Sequence, residues 1–398
     1  MEICKPEKCT GCYACVNSCK HGCIKMTENE LGALLPIIDE DSCIHCGACI
    51  KSCPNNIKLE FYNPIGCHAA WIKNKEKRRI CASGGIASIF SEYIIKQSGI
   101  FYGSCYDNEL IPSIKVAKSL EDIEKFKGSR YVQSIVGNQT FIDVKKNLIS
   151  GIKVLYFGTP CQIAGLKAFL KKDYDNLITV DLICHGVCPT KYFTEEISYL
   201  KKIKEIDTLT DVRFRGNDGN NFYLTLWNKN KLLYKKDSYC QYYLAGFLLG
   251  VSLRENCYSC NYARPERISD ITIGDFIGLG KLEKFEYSTS NVSSVIINTP
   301  KGSQFFDNVC NSNQEIVSFE RQYKERLIYK PSLVYPYPRH KLNESFKLNY
   351  AKYGYVIGIR KTLKFRVLIA YVMKLINIWT YSYRIPRKIY RILTEKKA

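Results

Sequence analysis

The sequence points to a mixed fold in three parts: a small α+β head over residues 1–60, an α/β body over 66–310 and a basic helical extension over 311–398. Three observations carry that reading. Eight of the 20 cysteines fall in two identically spaced runs within the first 53 residues. From about residue 66, short apolar stretches alternate with segments of helical periodicity, the pattern of an α/β domain. The last 48 residues set twelve Lys and Arg against the single acidic Glu395.

In the head, Cys9, Cys12, Cys15 and Cys19 recur 34 residues later as Cys43, Cys46, Cys49 and Cys53. Both runs read C-x2-C-x2-C-x3-C, and Pro54 closes the second. This is the ligand spacing of a bacterial two-cluster ferredoxin, in which the fourth cysteine of each run serves the other cluster. One 4Fe–4S cluster is therefore expected on Cys9, Cys12, Cys15 and Cys53, and another on Cys43, Cys46, Cys49 and Cys19. Thiolates suit this role because soft, deprotonated sulfur binds iron tightly. Zinc would need only four-cysteine sets, not the same three-in-seven spacing twice. Lys20 replaces the proline that would follow the first run, which removes no ligand. Apolar stretches such as Leu34–Ile38 are left for short strands. Cys4 and Cys23 lie outside the register and read as small buried side chains. The amino terminus lacks the apolar stretch of an export signal, so metal in a reducing, low-oxygen cytoplasm is expected in place of disulfides.

In the body, Ser83-Gly84-Gly85 opens a helix whose apolar positions Ile86, Ile89, Phe90, Tyr93 and Ile94 share one face. Gly99 ends it, and Ile100–Gly103 begins a strand. Ile152–Phe157 is a nearly continuous apolar strand, as suits one covered on both faces. It breaks at Gly158-Thr159-Pro160, where Pro160 fits a first helical turn; Ile163, Leu166, Phe169 and Leu170 then line one side of a helix. Leu177–Ile183 is a second buried strand, stopping at Cys184-His185-Gly186. Residues 211–235 read as a β-hairpin turning at Asn217–Asn221, and Tyr239–Val251 as a helix. Ile268–Ile273 and Val292–Asn298 are further strands, and a helix starts at 303. If the strands before Cys161 and Cys184 are parallel neighbours, both thiols lie at the carboxyl edge of the sheet, where open α/β sheets place their ligands. With Cys257 and Cys260, four thiols then converge on a third cluster. Spacing alone leaves ordinary buried cysteines equally open.

The extension holds an apolar stretch, Val367–Trp379, flanked by Lys361, Lys364, Arg366, Arg384, Arg387, Lys388 and Arg391. It is short for a membrane span and contains Lys374, so a helix lying in the membrane interface is one reading and docking on the protein's own core the other. A net charge of +20 and a pI near 9.1 raise nucleic acid as a partner. With no zinc finger, RNP-like strand or helix-turn-helix, that partner is not expected.

Phe157-Gly-Thr-Pro-Cys-Gln-Ile-Ala-Gly-Leu-Lys167 resembles the hallmark segment of the coenzyme F420 hydrogenase/dehydrogenase beta-subunit family, as does Ile183-Cys-His-Gly-Val187. Cys81-Ala-Ser-Gly-Gly-Ile86 is similar to its Ser-Gly-Gly helix start, and Lys127-Gly-Ser-Arg-Tyr-Val-Gln-Ser134 to its flavin loop. Cys257-Tyr-Ser-Cys260, followed by Ser269-Asp-Ile-Thr-Ile-Gly-Asp-Phe276, is similar to its carboxy-terminal signature. The resemblance spans residue 1 to about 310, in the family's order. It implies an FAD, an additional 4Fe–4S cluster on Cys161, Cys184, Cys257 and Cys260, and hydride exchange with a small redox molecule. The 5-deazaflavin F420 is the namesake substrate; related members reduce chlorophyll-type pigments, and many bacterial ones sit in polysaccharide gene clusters.

A helix start at Ser83, Gly84 and Gly85 offers free N–H groups and a positive dipole end to a pyrophosphate. Lys127, Gly128, Ser129 and Arg130 add donors and charge, and Thr159 stands at a second helix start. His185 is the expected proton carrier and Asp275 a substrate-orienting or capping group, while Arg213, Arg215, Arg264 and Arg267 are candidates for an acidic substrate. The expected protein is a cytoplasmic iron–sulfur flavoenzyme of an anaerobe, served by ferredoxin or another electron-transfer protein. Its small redox substrate could be a lipid-linked sugar at the inner membrane face. The competing reading is a relay subunit without flavin chemistry.

Overall fold

In a computed structural model, which describes residues 1–215 and 222–375, each cysteine run forms a loop followed by a short helix, Ala14–Ser18 and Ala48–Lys51. The 34-residue repeat extends to the backbone. Gly11 (φ 62°) and Tyr13 (φ 65°) are matched by His45 (φ 53°) and Gly47 (φ 69°), all left-handed. For Tyr13 and His45 that conformation costs about 1–2 kcal/mol each. Such strain persists where the surrounding structure dictates it, as in loops that turn their N–H groups inward. The loops are bridged by an antiparallel hairpin, β1 (Ile24–Glu28) and β2 (Leu34–Ile38).

The body is an eight-stranded mixed sheet. Its strands are β3 (Gly66–Ile72), β4 (Ile100–Tyr106), β5 (Pro112–Ala117), β6 (Val154–Gly158) and β7 (Leu177–Leu182), followed after an insertion by three more. The insertion is a three-stranded antiparallel sheet of β8 (Asp211–Arg215), β9 (Phe222–Asn228) and β10 (Lys231–Asp237). The main sheet then gains β11 (Ile271–Asp275), β12 (Ser293–Ile297) and β13 (Ile316–Glu320), in the spatial order β13-β3-β12-β11-β7-β6-β4-β5. β11, β7, β6 and β4 are parallel neighbours, and the remaining pairings are antiparallel. The loops after β6, β7 and β11 therefore leave the sheet side by side at one carboxyl edge.

One face of the sheet is covered by the helices Ile86–Lys96 and Pro300–Ser312, through Ile89, Phe90, Phe305 and Phe306. The other face receives the helices Thr140–Ile149 and Pro160–Leu170, and behind them the head. Tyr13, Ala14 and Val16 of the head share one continuous apolar core with Phe141, Tyr156, Ile163 and Leu166 of the body.

Several elements differ from the sequence expectation. The hairpin over 211–235 gains a third strand, and its turn at Asn217–Asn221 lies outside the described residues. The helix expected over Tyr239–Val251 is a 3-10 turn, Ser238–Cys240, and a shorter helix, Tyr242–Leu248, started by the Gln241 side chain accepting from the Leu244 N–H. The sheet continues past residue 310, because β13 pairs with β3. The extension forms the helical segment Asn343–Leu375, broken at Gly354 (φ 73°, ψ 179°). There Tyr355, Ile359, Leu363 and Val367 recur at four-residue spacing and are buried against Tyr243 and Tyr192 of the body. Arg360 anchors this docking through two bonds of 2.9 Å to buried Glu196. The described part of the apolar stretch thus covers the protein's own core through Val367, Ala370 and Met373; the remainder, with Trp379, Arg384, Arg387, Lys388 and Arg391, lies outside the described residues. Among the described residues no helix is long and apolar enough to cross a membrane.

Candidate redox site

Two pockets in the head collect the eight cysteines in crossed sets. Cys9, Cys12 and Cys15 line one with Cys53, among Ile3, Met26 and Pro36. Cys43, Cys46 and Cys49 line the other with Cys19, among Ile24, Ile38 and Ile44. Burial pushes the Cys12 thiol up to about 12 and Cys15 higher still, while Cys4 S–H donation brings Cys9 down to about 6 against the cost of burial. Thiols buried in this way ionise by gaining a metal cation, and apolar walls screen the sulfurs of the first pocket, whereas Cys46 of the second is exposed. Cys4 lies against Cys9 and Cys53, and the Cys23 sulfur is 3.2 Å from that of Cys19. The two thiols outside the register therefore touch candidate ligands, which their spacing did not signal.

A third set gathers at the carboxyl edge. Cys161 lies in the first turn of the Pro160–Leu170 helix after β6, and Cys184 just past β7. Cys257 lies within, and Cys260 just past, the 3-10 turn Glu255–Ser259. The four are electrostatic neighbours: the Cys184 thiol is held up first by burial, then by Cys161, Cys257 and Cys260. Burial likewise raises Cys161 to about 11 and Cys257 to about 12. The parallel register of β6 and β7 is what sets Cys161 beside Cys184. Gly186 (φ 121°) allows the Cys257 segment to close over them, since a Cβ there would stand 2.7 Å from Leu253 Cδ1 and 3.4 Å from Cys257 Cβ. Thr159 Oγ1 lies 3.2 Å from Cys161 Sγ. The first and third quartets fit a cluster by the same measure, thiols facing one another and largely withdrawn from water; the second is the same crossed set nearer the surface, with Cys46 exposed. The third adjoins the first. Gly165, one turn after Cys161, lies against Cys12, and buried Tyr262 senses Cys161, Cys12, Cys260 and Cys53 together.

For a flavin the fit is uneven. The Gly84 N–H already donates to Ser293 Oγ (3.0 Å) and Ser83 Oγ to the Val292 carbonyl (3.2 Å). The glycines answer to packing: a Cβ on Gly84 would lie 2.3 Å from the Ala70 carbonyl oxygen, and one on Gly85 2.4 Å from Ile72 Cδ1. No side chain caps the following helix and the Ser88 N–H already donates to the Gly85 carbonyl (3.1 Å), so the N–H groups of Ile86 and Ala87 remain for an anion. Lys127 stands near, paired with Glu124 and close enough to Cys81 to act on its thiol. Gly128 (φ 86°) borders open space, and Ser129 lies near the Tyr131 hydroxyl. Arg130 is committed elsewhere: its guanidinium donates to the carbonyls of Lys125 (2.7 Å) and Phe126 (3.2 Å) and lies over the Tyr106 ring. It shapes the loop. The helix start and Lys127 fit a diphosphate; Ser83 and Arg130 are spent within the protein.

His185 Nε2 donates to the Phe247 carbonyl (3.1 Å), and its ring packs 3.7 Å from that of Tyr337. Burial lowers its pKa to about 4, so the ring is neutral and offers Nδ1 as an acceptor. The four arginines considered for an acidic substrate all have carboxylate partners. Arg213 bonds Asp211, Arg264 bonds Glu266, Arg215 bonds both oxygens of Asp275, and fully buried Arg267 bonds both oxygens of Asp181 at 3.2 Å.

Residues 151–320 match the family described as the C terminus of the coenzyme F420 hydrogenase/dehydrogenase beta subunit, and residues 8–57 match the 4Fe-4S dicluster domain. No curated protein matches the chain. Among solved structures it is similar to a chain of the F420-reducing [NiFe] hydrogenase complex from Methanosarcina barkeri, with 16% identity over 77% of this chain and 94% of that one and a TM-score of 0.44.

Proposed function

From a chain whose residues 151–320 match the C terminus of the coenzyme F420 hydrogenase/dehydrogenase beta subunit and whose residues 8–57 match the 4Fe-4S dicluster domain, we propose an oxidoreductase that moves electrons from its head, through a third cluster, to a flavin at the carboxyl edge of its sheet. Iron–sulfur clusters carry single electrons, and a flavin collects two and exchanges hydride with a small molecule. In this reading Cys19, Cys43, Cys46 and Cys49 form the intake. Cys46 is exposed there and Ile44 is 62% exposed, an apolar rim suited to a ferredoxin-type donor. Cys9, Cys12, Cys15 and Cys53 lie next along the chain of sites, then Cys161, Cys184, Cys257 and Cys260. The free donors of the helix start at Ile86, with Lys127 beside them, hold the diphosphate. Thr159 orients the Cys161 sulfur, and His185 accepts a proton at Nδ1.

The observation that carries the proposal is the meeting of Cys161, Cys184, Cys257 and Cys260 one helical turn from Cys12. A relay within one chain needs that proximity, whereas isolated buried cysteines do not. Anaerobic purification followed by iron, sulfide and flavin analysis tests it, with about twelve irons expected for three clusters together with one releasable FAD. Full iron without FAD would identify a relay subunit, and about eight irons would remove the third cluster.

A further inference from the structure

Between the first and third cysteine quartets lies a buried cation without a counter-ion. Arg254 is 3% exposed. Its guanidinium donates to Gln133 Oε1, Asn256 Oδ1 (3.2 Å) and the carbonyls of Cys9 (3.1 Å) and Leu34 (3.2 Å). Every one of these acceptors is neutral, and no carboxylate pairs with it among the described residues. Burying a charge in that way is costly unless an opposite charge lies near. The clusters would be anions at this site, since four thiolates outweigh the iron–sulfide core. Arg254 acts on Cys9 of the first quartet and on Cys161 and Cys257 of the third, always favouring the thiolate. It figures in no shift at Cys19 or Cys49 of the distal quartet.

We propose that Arg254 is an electrostatic bridge between the proximal head cluster and the third cluster, a positioning residue that eases the reduction of both and relieves the repulsion between them. This rests on the three-cluster reading above. Each reduction adds a negative charge, and two neighbouring anions resist being reduced together. A fixed cation between them favours the added electron at either side. At an effective dielectric near 20, a unit charge within about 10 Å of another shifts an equilibrium more than about tenfold.

The test is an anaerobic redox titration of the full-length protein followed by electron paramagnetic resonance, comparing wild type with Arg254→Gln and Arg254→Lys. Iron is counted in every sample. In Arg254→Gln, the reduced-to-oxidised ratio at fixed potential is expected to fall at least about tenfold for the proximal and third clusters, about 59 mV for a one-electron couple. The distal cluster is expected to stay put, and Arg254→Lys to retain most of the wild-type value. Unchanged potentials in a fully loaded Arg254→Gln protein would overturn the bridge. So would equal loss of clusters from both variants, the result of a purely structural role through hydrogen bonds. Loss of clusters from Arg254→Gln alone, with Arg254→Lys loaded, would support the need for charge. A wild-type protein lacking the third cluster would instead defeat the three-cluster reading itself.

Discussion

Replacing Gly165 with alanine examines the contact through which the proposed electron passage from head to body would run. In an unobstructed helix this change stabilises by about 1 kcal/mol, since glycine gives up more conformational freedom than alanine. Gly165 is not unobstructed. An added Cβ would lie 2.7 Å from Cys12 Cβ and 2.9 Å from Cys12 Sγ, well inside ordinary contact. Cys12 has little room to yield, because it is buried and its neighbours Tyr13 and Ala14 are packed into the shared core. Overpacking of this kind costs about 1–3 kcal/mol, enough to reverse the sign of the helix gain. Anaerobic guanidinium titration, followed by bleaching of cluster absorbance, should show a lower midpoint for Gly165→Ala, with iron lost from the proximal site first. A midpoint at or above wild type with full iron would mean that the head does not seat against this helix.

Three further outcomes follow from the same geometry. Asp181→Asn strands the fully buried Arg267 guanidinium and should destabilise the body by about 3–5 kcal/mol, read from denaturant unfolding. Glu325 is 1% exposed; burial would raise its pKa, but Arg321 and the N–H groups of Gly280 and Leu282 outweigh it and hold the carboxyl below its usual range. Its folded pKa being the lower one, its stabilisation is present above the unfolded carboxylate range and disappears as pH falls through the folded value. Glu325→Gln should therefore cost about 1–3 kcal/mol near neutral pH, with the gap closing in acid; a gap independent of pH would contradict the assignment. Lys127→Ala should weaken FAD retention about tenfold or more while leaving the iron count unchanged, measured by flavin fluorescence after gel filtration.

Much of this arrangement was legible because it is local or periodic. The 34-residue offset places both head loops, and the left-handed residues at Gly11, Tyr13, His45 and Gly47 obey it as well. Apolar runs at 152–157 and 177–183 mark parallel strands, and their ends put Cys161 and Cys184 together. What was hidden depends on distant partners. Arg254 stands in an unremarkable segment, and its importance comes from Cys9, 245 residues away in sequence. Arg130 reads as a phosphate ligand until its loop folds back and takes up both terminal nitrogens of its guanidinium. The stretch from Val367 is amphipathic, a pattern that states an apolar face needs covering without saying by what; residues from Tyr243 and Tyr192 provide the cover. β13 is five residues long, and only its pairing with β3 makes it a strand of the main sheet.

The most direct measurement is the iron content and spin count of anaerobic Cys161→Ser beside wild type. About four fewer irons and one fewer paramagnetic centre on reduction are expected, with the two head clusters unchanged. Iron and spin equal to wild type would contradict the third cluster, because the thiols at the sheet's carboxyl edge would then hold no cluster.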